Sequence, residues 1–233
     1  WIGAAYDAEI GGMGLPWAVN AAGQEMLFAA NMSFSLCPLL SQGAIETIEA
    51  HGSPEQRATF LERMVSGEWT GTMNLTEPHA GSDVGALKSR AEPQPDGTYR
   101  IFGQKIYITF GEHDLAENIV HLVLARTPDA PAGTKGISLF IVPKFLVNED
   151  GSLGARNDAK CIKLEEKLGI HASPTCVMQY GADGGAVGDL IGPETGGMSC
   201  MFTMMNNARL SVGIQGLGIA ERAFQHALAY AKD

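Results

Sequence analysis

The sequence predicts an α+β protein with three parts. A helical N-terminal block spans residues 1–67, an antiparallel β-barrel or β-sandwich forms the middle domain over 68–192, and the first helices of a C-terminal bundle occupy 193–233. Ala, Leu, Met and Glu favour helix over residues 17–50, whereas six or so short β-branched runs then follow without a long helix between them. Apolar residues return to helical spacing after Gly196.

A second N-terminal helix has a well-defined start and end. Ser53 is a candidate N-cap, Pro54 occupies the first helical position, and Gln56 completes a capping box. Gly67 is placed to end the helix. Its apolar stripe consists of Phe60, Leu61, Met64 and Val65.

Strand patterns fill the middle of the chain. Residues 69–75 form the first strand, and Asp96-Gly97 predicts a hairpin between 87–91 and 98–102. Further strands are predicted at 105–109, 119–125, 137–142 and 175–180. Beyond Gly196, two helices are predicted, whose apolar residues are Met198, Met201, Phe202 and Met205, then Leu217, Ala220, Phe224, Leu228 and Ala231. Because their apolar faces need partners, we expect the chain to be a fragment of a longer protein.

Composition narrows the classes of function. A hydrophobic content of 45% with 18% charged residues is typical of a folded protein. The net charge of −10 argues against nucleic acid as a partner, since phosphate backbones require a basic face. The sequence contains no run of about 18 apolar residues, the length that would predict a membrane span. The four cysteines are scattered, which favours a reducing cytoplasm over disulfides or a zinc site, and Glu112-His113-Asp114 is better interpreted as a solvated turn than as a metal cluster.

The segment 75–83, with the sequence LTEPHAGSD, is the first candidate site. Pro78 ends the preceding strand pattern, and Gly81 permits a close approach of the backbone to another group. Thr76, Ser82 and Asp83 add hydroxyl and carboxylate groups among free N–H groups. From these residues alone, the segment is either an ordinary surface turn or a loop that holds a phosphate-bearing ligand.

Three motifs in order resemble the acyl-CoA dehydrogenase family. Residues 76–83 (TEPHAGSD) resemble its flavin loop, and residues 103–109 (GQKIYIT) resemble the strand that follows. Residues 205–209 (MNNAR) and 216–220 (GLGIA) are similar to the helix pair that opens its C-terminal domain. The resemblance runs through most of the chain.

The resemblance implies FAD as the cofactor. Main-chain groups of Met73 and Leu75, with the Thr76 hydroxyl, would meet the pyrimidine side of the isoalloxazine ring. Tyr107 would stack near the flavin, with Thr109 close to its N5 edge. The full set of residues implied at the cofactor is Met73, Leu75, Thr76, Gly81, Ser82, Tyr107, Ile108 and Thr109.

The implied substrate is an acyl-CoA, which loses an α-proton and a β-hydride to become a 2-enoyl-CoA. Ser82 would lie near the pantetheine arm, and Asn206 and Arg209 would hold the nucleotide end of coenzyme A. The alternative for Arg209 is a salt bridge on the helix surface. The alternative for Tyr107 is an aromatic side chain packed in the core. An electron-transfer flavoprotein is the implied electron acceptor, and a homodimer or homotetramer the implied assembly.

The catalytic base is expected beyond Asp233. Most family members carry it late in the C-terminal domain, and the minority position aligns with Ala208, which has no proton-accepting group. Glu77 is a loop residue that the family uses structurally. We therefore expect residues 1–233 alone to be inactive and to retain FAD weakly.

Alternatives and departures from the family pattern remain. An acyl-CoA oxidase or nitroalkane-oxidising relative shares the fold, and a flavin-containing DNA-binding relative is disfavoured by the acidic charge. His79 stands where the family often has Gly, and Phe110 where Asn is common. The segment 167–175 (KLGIHASPT) most resembles a subfamily of longer polypeptides that includes dehydrogenases of 3-methylthiopropanoyl-CoA and other short or medium acyl-CoAs.

Overall fold

The computed structural model describes all residues from 1 to 233. Three helices come first: α1 (Trp17–Ala30), α2 (Met32–His51) and α3 (Pro54–Ser66). Ten strands follow: β1 (Trp69–Asn74), β2 (Arg90–Pro93), β3 (Tyr99–Thr109), β4 (Asn118–Ala125), β5 (Ser138–Pro143), β6 (Phe145–Val147), β7 (Leu153–Arg156), β8 (Ala159–Leu164), β9 (Thr175–Tyr180) and β10 (Ala186–Ile191). A last helix, α4, spans Gly197–Tyr230. Three single-turn 3₁₀ helices lie at Ala8–Ile10, Val84–Ala86 and Thr134–Gly136.

The predicted boundaries of α3 are confirmed. Ser53 Oγ accepts from the N–H of Gln56, whose side chain accepts in turn from the N–H of Ser53. These two bonds satisfy N–H groups that have no partner inside the helix. Gly67 ends the helix with φ of 88°, a left-handed conformation that glycine adopts without steric strain.

The main sheet has the strand order β1-β4-β5-β10-β3-β9-β8, with β2 paired to β3. All its pairs are antiparallel, as predicted, except β1–β4, which is parallel. The reason is connectivity: β1 reaches β4 through β2 and β3, and only a tight hairpin forces neighbouring strands to run in opposite directions. The hairpin predicted around Asp96-Gly97 is confirmed as the β2–β3 pair.

Two hydrophobic cores hold the layers together. The larger lies between the helices and the sheet, where Trp69 of β1 packs on Phe60 of α3 with ring centroids 6.0 Å apart. At Gly71, a Cβ atom would come within 2.4 Å of the Ala44 Cβ, so glycine lets β1 press directly against α2. The smaller core lies on the other face of the sheet, which curves around it as an open barrel, and includes Ile101 and Phe140. These contacts fix β1 between the helices and the barrel.

The C-terminal segment forms one helix of 34 residues, so the prediction of two helices was wrong. Glycine in a helix interior costs about 1 kcal/mol relative to alanine, and packing of α4 against α1 and α2 offsets that cost. Gly218 is part of this packing, because a Cβ there would lie 2.8 Å from the Glu25 carbonyl of α1. None of the helices combines the length and apolar character required to cross a membrane.

Candidate functional site

Strand β1 is an edge strand of the main sheet. It pairs with β4 on one side only, and on the other side the Gly71 N–H donates to Ser41 Oγ over 3.0 Å. Main-chain groups of alternate residues in a strand point the same way, so those of Met73 face this free edge. Just beyond the strand, the N–H groups of Leu75 and Thr76 donate to no main-chain or side-chain acceptor of the chain. The N–H groups of Leu75 and Thr76, next to the edge-facing main chain of Met73, are therefore free to donate to a ligand.

The segment 75–83 folds into a tight loop. The N–H and carbonyl groups of Glu77 and Ala80 bond to each other twice, at 3.0 Å each, around Pro78 and His79. Gly81 and Ser82 are exposed beyond this turn. A Cβ at Gly81 would meet nothing closer than 3.6 Å, so the chain's own packing does not require glycine there. The Thr76 methyl group is the nearest neighbour at that position, and the exposed backbone of Gly81 remains accessible to a ligand.

Glu77 is committed to a buried network beneath the loop. Its carboxylate accepts from the N–H of Lys88 at 2.7 Å, from the N–H and hydroxyl of Ser89 at 3.0 and 2.5 Å, and from Lys105 Nζ at 2.9 Å. Burial raises the pKa of this carboxyl, yet Lys105 and the other donors outweigh burial and hold the pKa below its usual range. A carboxylate held in this way is a poor proton acceptor, which fits the structural role expected for Glu77.

Lys105 completes this network from strand β3. Its side chain is 0% exposed, and Nζ also donates to the Leu75 carbonyl at 3.0 Å. Burial lowers the pKa of Lys105 to about 8, although the Glu77 carboxylate opposes that effect. The 75–83 loop and β3 meet again where the Ile106 N–H donates to the Thr76 carbonyl over 2.9 Å. The structure thus joins two segments that lie far apart in the sequence.

A bulge in β3 presents Tyr107. The pairing with β9 shifts register between Lys105 and Ile108, and Tyr107 adopts φ of 61°. A left-handed conformation is uncommon for a non-glycine residue and is costly for a bulky one. The Tyr107 side chain is 62% exposed, so the alternative role as a core aromatic does not hold. Ile108 points into the barrel core and Thr109 is half-buried.

Asn206 and Arg209 lie one turn apart on α4. Arg209 Nη1 donates to Asn206 Oδ1 over 2.8 Å, and the guanidinium stands over the Phe202 ring, 5.4 Å from its centroid. The partners of Arg209 are thus an amide and an aromatic ring, and it forms no salt bridge. Both residues are exposed, and no hydrogen bond or ion pair joins them to the 75–83 loop or to β3. Ala208, between them, packs against the helix-side core.

The free edge of β1, the 75–83 loop and the β3 bulge together form what we call the wall of the candidate site. Several polar residues that support this wall were not predicted from the sequence. Lys105 lies inside the 103–109 motif, but its complete burial followed neither from that motif nor from the strand pattern. Within the barrel, Thr72, Asn74, His121 and Tyr180 form a second buried network behind β1. Their pairing depends on strand register, which the sequence did not reveal.

Comparison with known proteins gives a consistent assignment. The family model for the N-terminal domain of acyl-CoA dehydrogenase matches residues 1–68, and the model for the middle domain matches residues 72–181. The chain is 57% identical over 233 residues to 3-methylmercaptopropionyl-CoA dehydrogenase of Ruegeria pomeroyi, with 100% of this chain and 39% of that protein covered.

Solved structures agree with the sequence relatives. Butyryl-CoA dehydrogenase of Megasphaera elsdenii matches with a TM-score of 0.83 and 28% identity over 100% of this chain and 58% of that one. A chain from a study of the electron transferring flavoprotein of Acidaminococcus fermentans also gives 0.83 and 28%, over 99% of this chain and 57% of that one. The chain therefore spans less than two thirds of each of these relatives, from 39% to 58% of their length. The chain belongs to the acyl-CoA dehydrogenase family.

Proposed function

We propose that the protein containing this chain is an FAD-dependent acyl-CoA dehydrogenase, which converts an acyl-CoA thioester to a 2-enoyl-CoA. The observation that carries the proposal is the pair of free N–H groups at Leu75 and Thr76, in a segment bonded to β3 beside the bulge that presents Tyr107. Family membership supports the same reaction class. FAD, when bound, supplies the hydride acceptor.

The residues of the wall fit a flavin ring. The free N–H groups of Leu75 and Thr76 suit the carbonyl and nitrogen acceptors along the pyrimidine edge of an isoalloxazine. Tyr107 offers an exposed aromatic face for stacking. We assign cofactor contacts to Met73, Leu75, Thr76, Gly81, Ser82, Tyr107, Ile108 and Thr109, with Ile108 acting through its main chain because its side chain is buried.

The substrate is proposed to be a short or medium acyl-CoA. The names of two relatives, a 3-methylmercaptopropionyl-CoA dehydrogenase and a butyryl-CoA dehydrogenase, support this class. Ser82 would contact the pantetheine arm, and Asn206 with Arg209 the nucleotide end of coenzyme A. The Arg209 guanidinium is exposed and oriented by Asn206, as binding of a phosphate or adenine group requires.

The base that removes the α-proton is proposed to lie outside residues 1–233. Ala208 has no acidic group, and Glu77 is buried with four donors around it. We keep residues 1–67, 68–192 and 193–233 as the proposed domain division. An electron transferring flavoprotein is the proposed acceptor, a homodimer or homotetramer the proposed assembly, and the cytoplasm the proposed location, where the four free cysteines would stay reduced.

The decisive experiment uses the full-length protein purified under anaerobic conditions. We expect a yellow flavoprotein whose colour bleaches on addition of butyryl-CoA or 3-methylthiopropanoyl-CoA, with the 2-enoyl-CoA as product. No bleaching with any acyl-CoA would overturn the proposal. Rapid peroxide release on admission of air would instead identify an acyl-CoA oxidase, and residues 1–233 alone should show neither turnover nor stoichiometric FAD.

A further inference from the structure

The buried pair of Lys105 and Glu77 is the strongest feature that the proposed reaction does not use. Both side chains are almost completely inaccessible, at 0% and 3%. Removing an ammonium from water costs several kcal/mol, and a buried ion pair is often no more stabilising than an apolar pair of the same volume. A contribution to stability alone therefore does not explain why this pair is buried. The position of the Lys105 ammonium needs another explanation.

The second contact of Lys105 provides that explanation. Its Nζ donates to the carbonyl of Leu75, and the same peptide group carries the N–H of Thr76. A charge-assisted bond to the oxygen of a peptide draws electron density toward that oxygen and makes the N–H of the peptide a stronger donor. The Thr76 N–H has no acceptor within the chain. The effect of the ammonium is thus delivered to a donor that faces the ligand side.

The next peptide is anchored as well. The Thr76 carbonyl accepts from the Ile106 N–H at 2.9 Å, so both peptides that flank Thr76 are tied to β3. Ile106 immediately precedes the Tyr107 bulge. Lys105 and Ile106 together hold the loop donors and the exposed aromatic ring in one fixed relationship.

We propose that Lys105 is a positioning residue for the flavin: its ammonium fixes the Leu75–Thr76 peptide, strengthens the Thr76 N–H as a donor, and so raises the reduction potential of the bound cofactor. The inference rests on the proposed function, because it requires a flavin at this wall. A reduced flavin carries more negative charge on its pyrimidine side than an oxidised one. A stronger donor there stabilises the reduced form preferentially.

The test uses full-length holoprotein carrying the double substitution Lys105→Met and Glu77→Gln. The double variant removes the ammonium without leaving a lone buried carboxylate, which would be strongly destabilising. We expect reduced flavin to bind about tenfold more weakly relative to oxidised flavin, which lowers the two-electron potential by about 30 mV. Equilibrium titration against a redox dye measures the potential, and the visible spectrum of the flavin and a circular dichroism spectrum are recorded alongside it.

Two further proteins sharpen the result. Lys105→Gln with Glu77→Gln keeps a neutral donor that can reach Leu75, and should give a potential between those of the wild type and the first variant. The control neutralises an exposed pair on β2, through Arg90→Met with Glu92→Gln, and should leave the potential unchanged.

The outcomes distinguish a positioning role of the Lys105–Glu77 pair from a role in folding alone. A folded Lys105→Met/Glu77→Gln protein with a lowered potential, or one that has lost FAD, supports the positioning role. The same protein with the wild-type potential, or one that is unfolded, overturns it, because the pair would then serve folding alone. A wild-type protein that binds no flavin would instead refute the proposed function.

Discussion

The hydroxyl of Thr72 and Nδ1 of His121 share a hydrogen bond of 2.7 Å inside the barrel, directly behind the strand whose free edge forms the candidate site. Asn74 Nδ2 donates to the same hydroxyl at 2.8 Å, and the Tyr180 hydroxyl donates to Asn74 Oδ1 at 2.8 Å. Two inward side chains of β1, those of Thr72 and Asn74, are therefore held by a continuous chain of hydrogen bonds. The imidazole in this network is that of His121, and its protonation can be followed as a change of stability with pH.

We predict that His121 makes the fold sensitive to acid. Burial lowers the pKa of His121 to about 3, whereas the unfolded chain takes up this proton near pH 6.5. Between these values the unfolded state binds more protons, so the free energy of unfolding should fall as the pH falls from about 6.5. Urea unfolding at a series of pH values measures this slope. His121→Gln should flatten it, and His226→Gln, at an exposed site on α4, should not.

Glu46 should give the opposite pH dependence. Burial raises the pKa of this carboxyl to about 7, with a further contribution from Glu49, while the bond from Asn207 at 2.6 Å opposes the rise. The folded state therefore binds more protons between about pH 4.5 and 7, and the free energy of unfolding should fall as the pH rises through that range.

The test for Glu46 is Glu46→Gln, which can still accept the bond from Asn207. Because the side chain is only partly buried, we expect a gain of about 1–2 kcal/mol in the free energy of unfolding at pH 8 and little change at pH 4. Glu62→Gln, at an exposed position of α3, is the matched control. An equal gain at both pH values would show that ionisation of Glu46 is not the cause.

Two glycines one half-turn apart on α4 should respond in opposite directions. Gly216 is exposed, and a Cβ atom there would have no other atom within 4 Å, so Gly216→Ala should stabilise the helix by about 0.5–1 kcal/mol. Gly218→Ala would bring a methyl group to 2.8 Å from the Glu25 carbonyl and should cost about 1–3 kcal/mol. Urea unfolding compares the two variants; destabilisation of equal size in both would contradict the close approach of α1 and α4 at Gly218.

Local signals account for the parts of the fold that the sequence predicted. The capping box of α3, the Asp96-Gly97 hairpin and the β-branched runs of β4 and β5 depend on neighbours in the chain, and the structure confirms them. The parallel pairing of β1 and the strand β10, which contains Gly188 and Asp189, depend on contacts between distant residues. The continuity of α4 depends on its packing against α1 and α2, which outweighs the low helix propensity of its glycines.

The candidate site likewise has parts that local sequence predicted and parts that depend on contacts between distant residues. The 75–83 loop and the strand to Thr109 were predicted because their turn residues and motifs are contiguous in the sequence. The anchoring of the loop by Lys105 was not, since nothing in a strand pattern shows that a lysine will be fully buried opposite Glu77. The structure brings Asn206 and Arg209 together on one face of α4, as it does residues three apart on any helix.

Arg209→Ala should weaken substrate binding while leaving the chemical step intact. The guanidinium is exposed and oriented by Asn206 and Phe202, so its proposed contact is with the nucleotide end of coenzyme A, far from the reacting carbons. An interaction that is equally strong in the ground and transition states changes KM and not kcat. We expect KM for an acyl-CoA to rise about tenfold, as loss of one charge-assisted hydrogen bond implies, with kcat within about twofold of the wild type. Arg57→Ala, on α3 and remote from the site, serves as the control. Steady-state kinetics of the full-length enzyme decide the matter: an unchanged KM, or a loss confined to kcat, would remove Arg209 from the coenzyme A site.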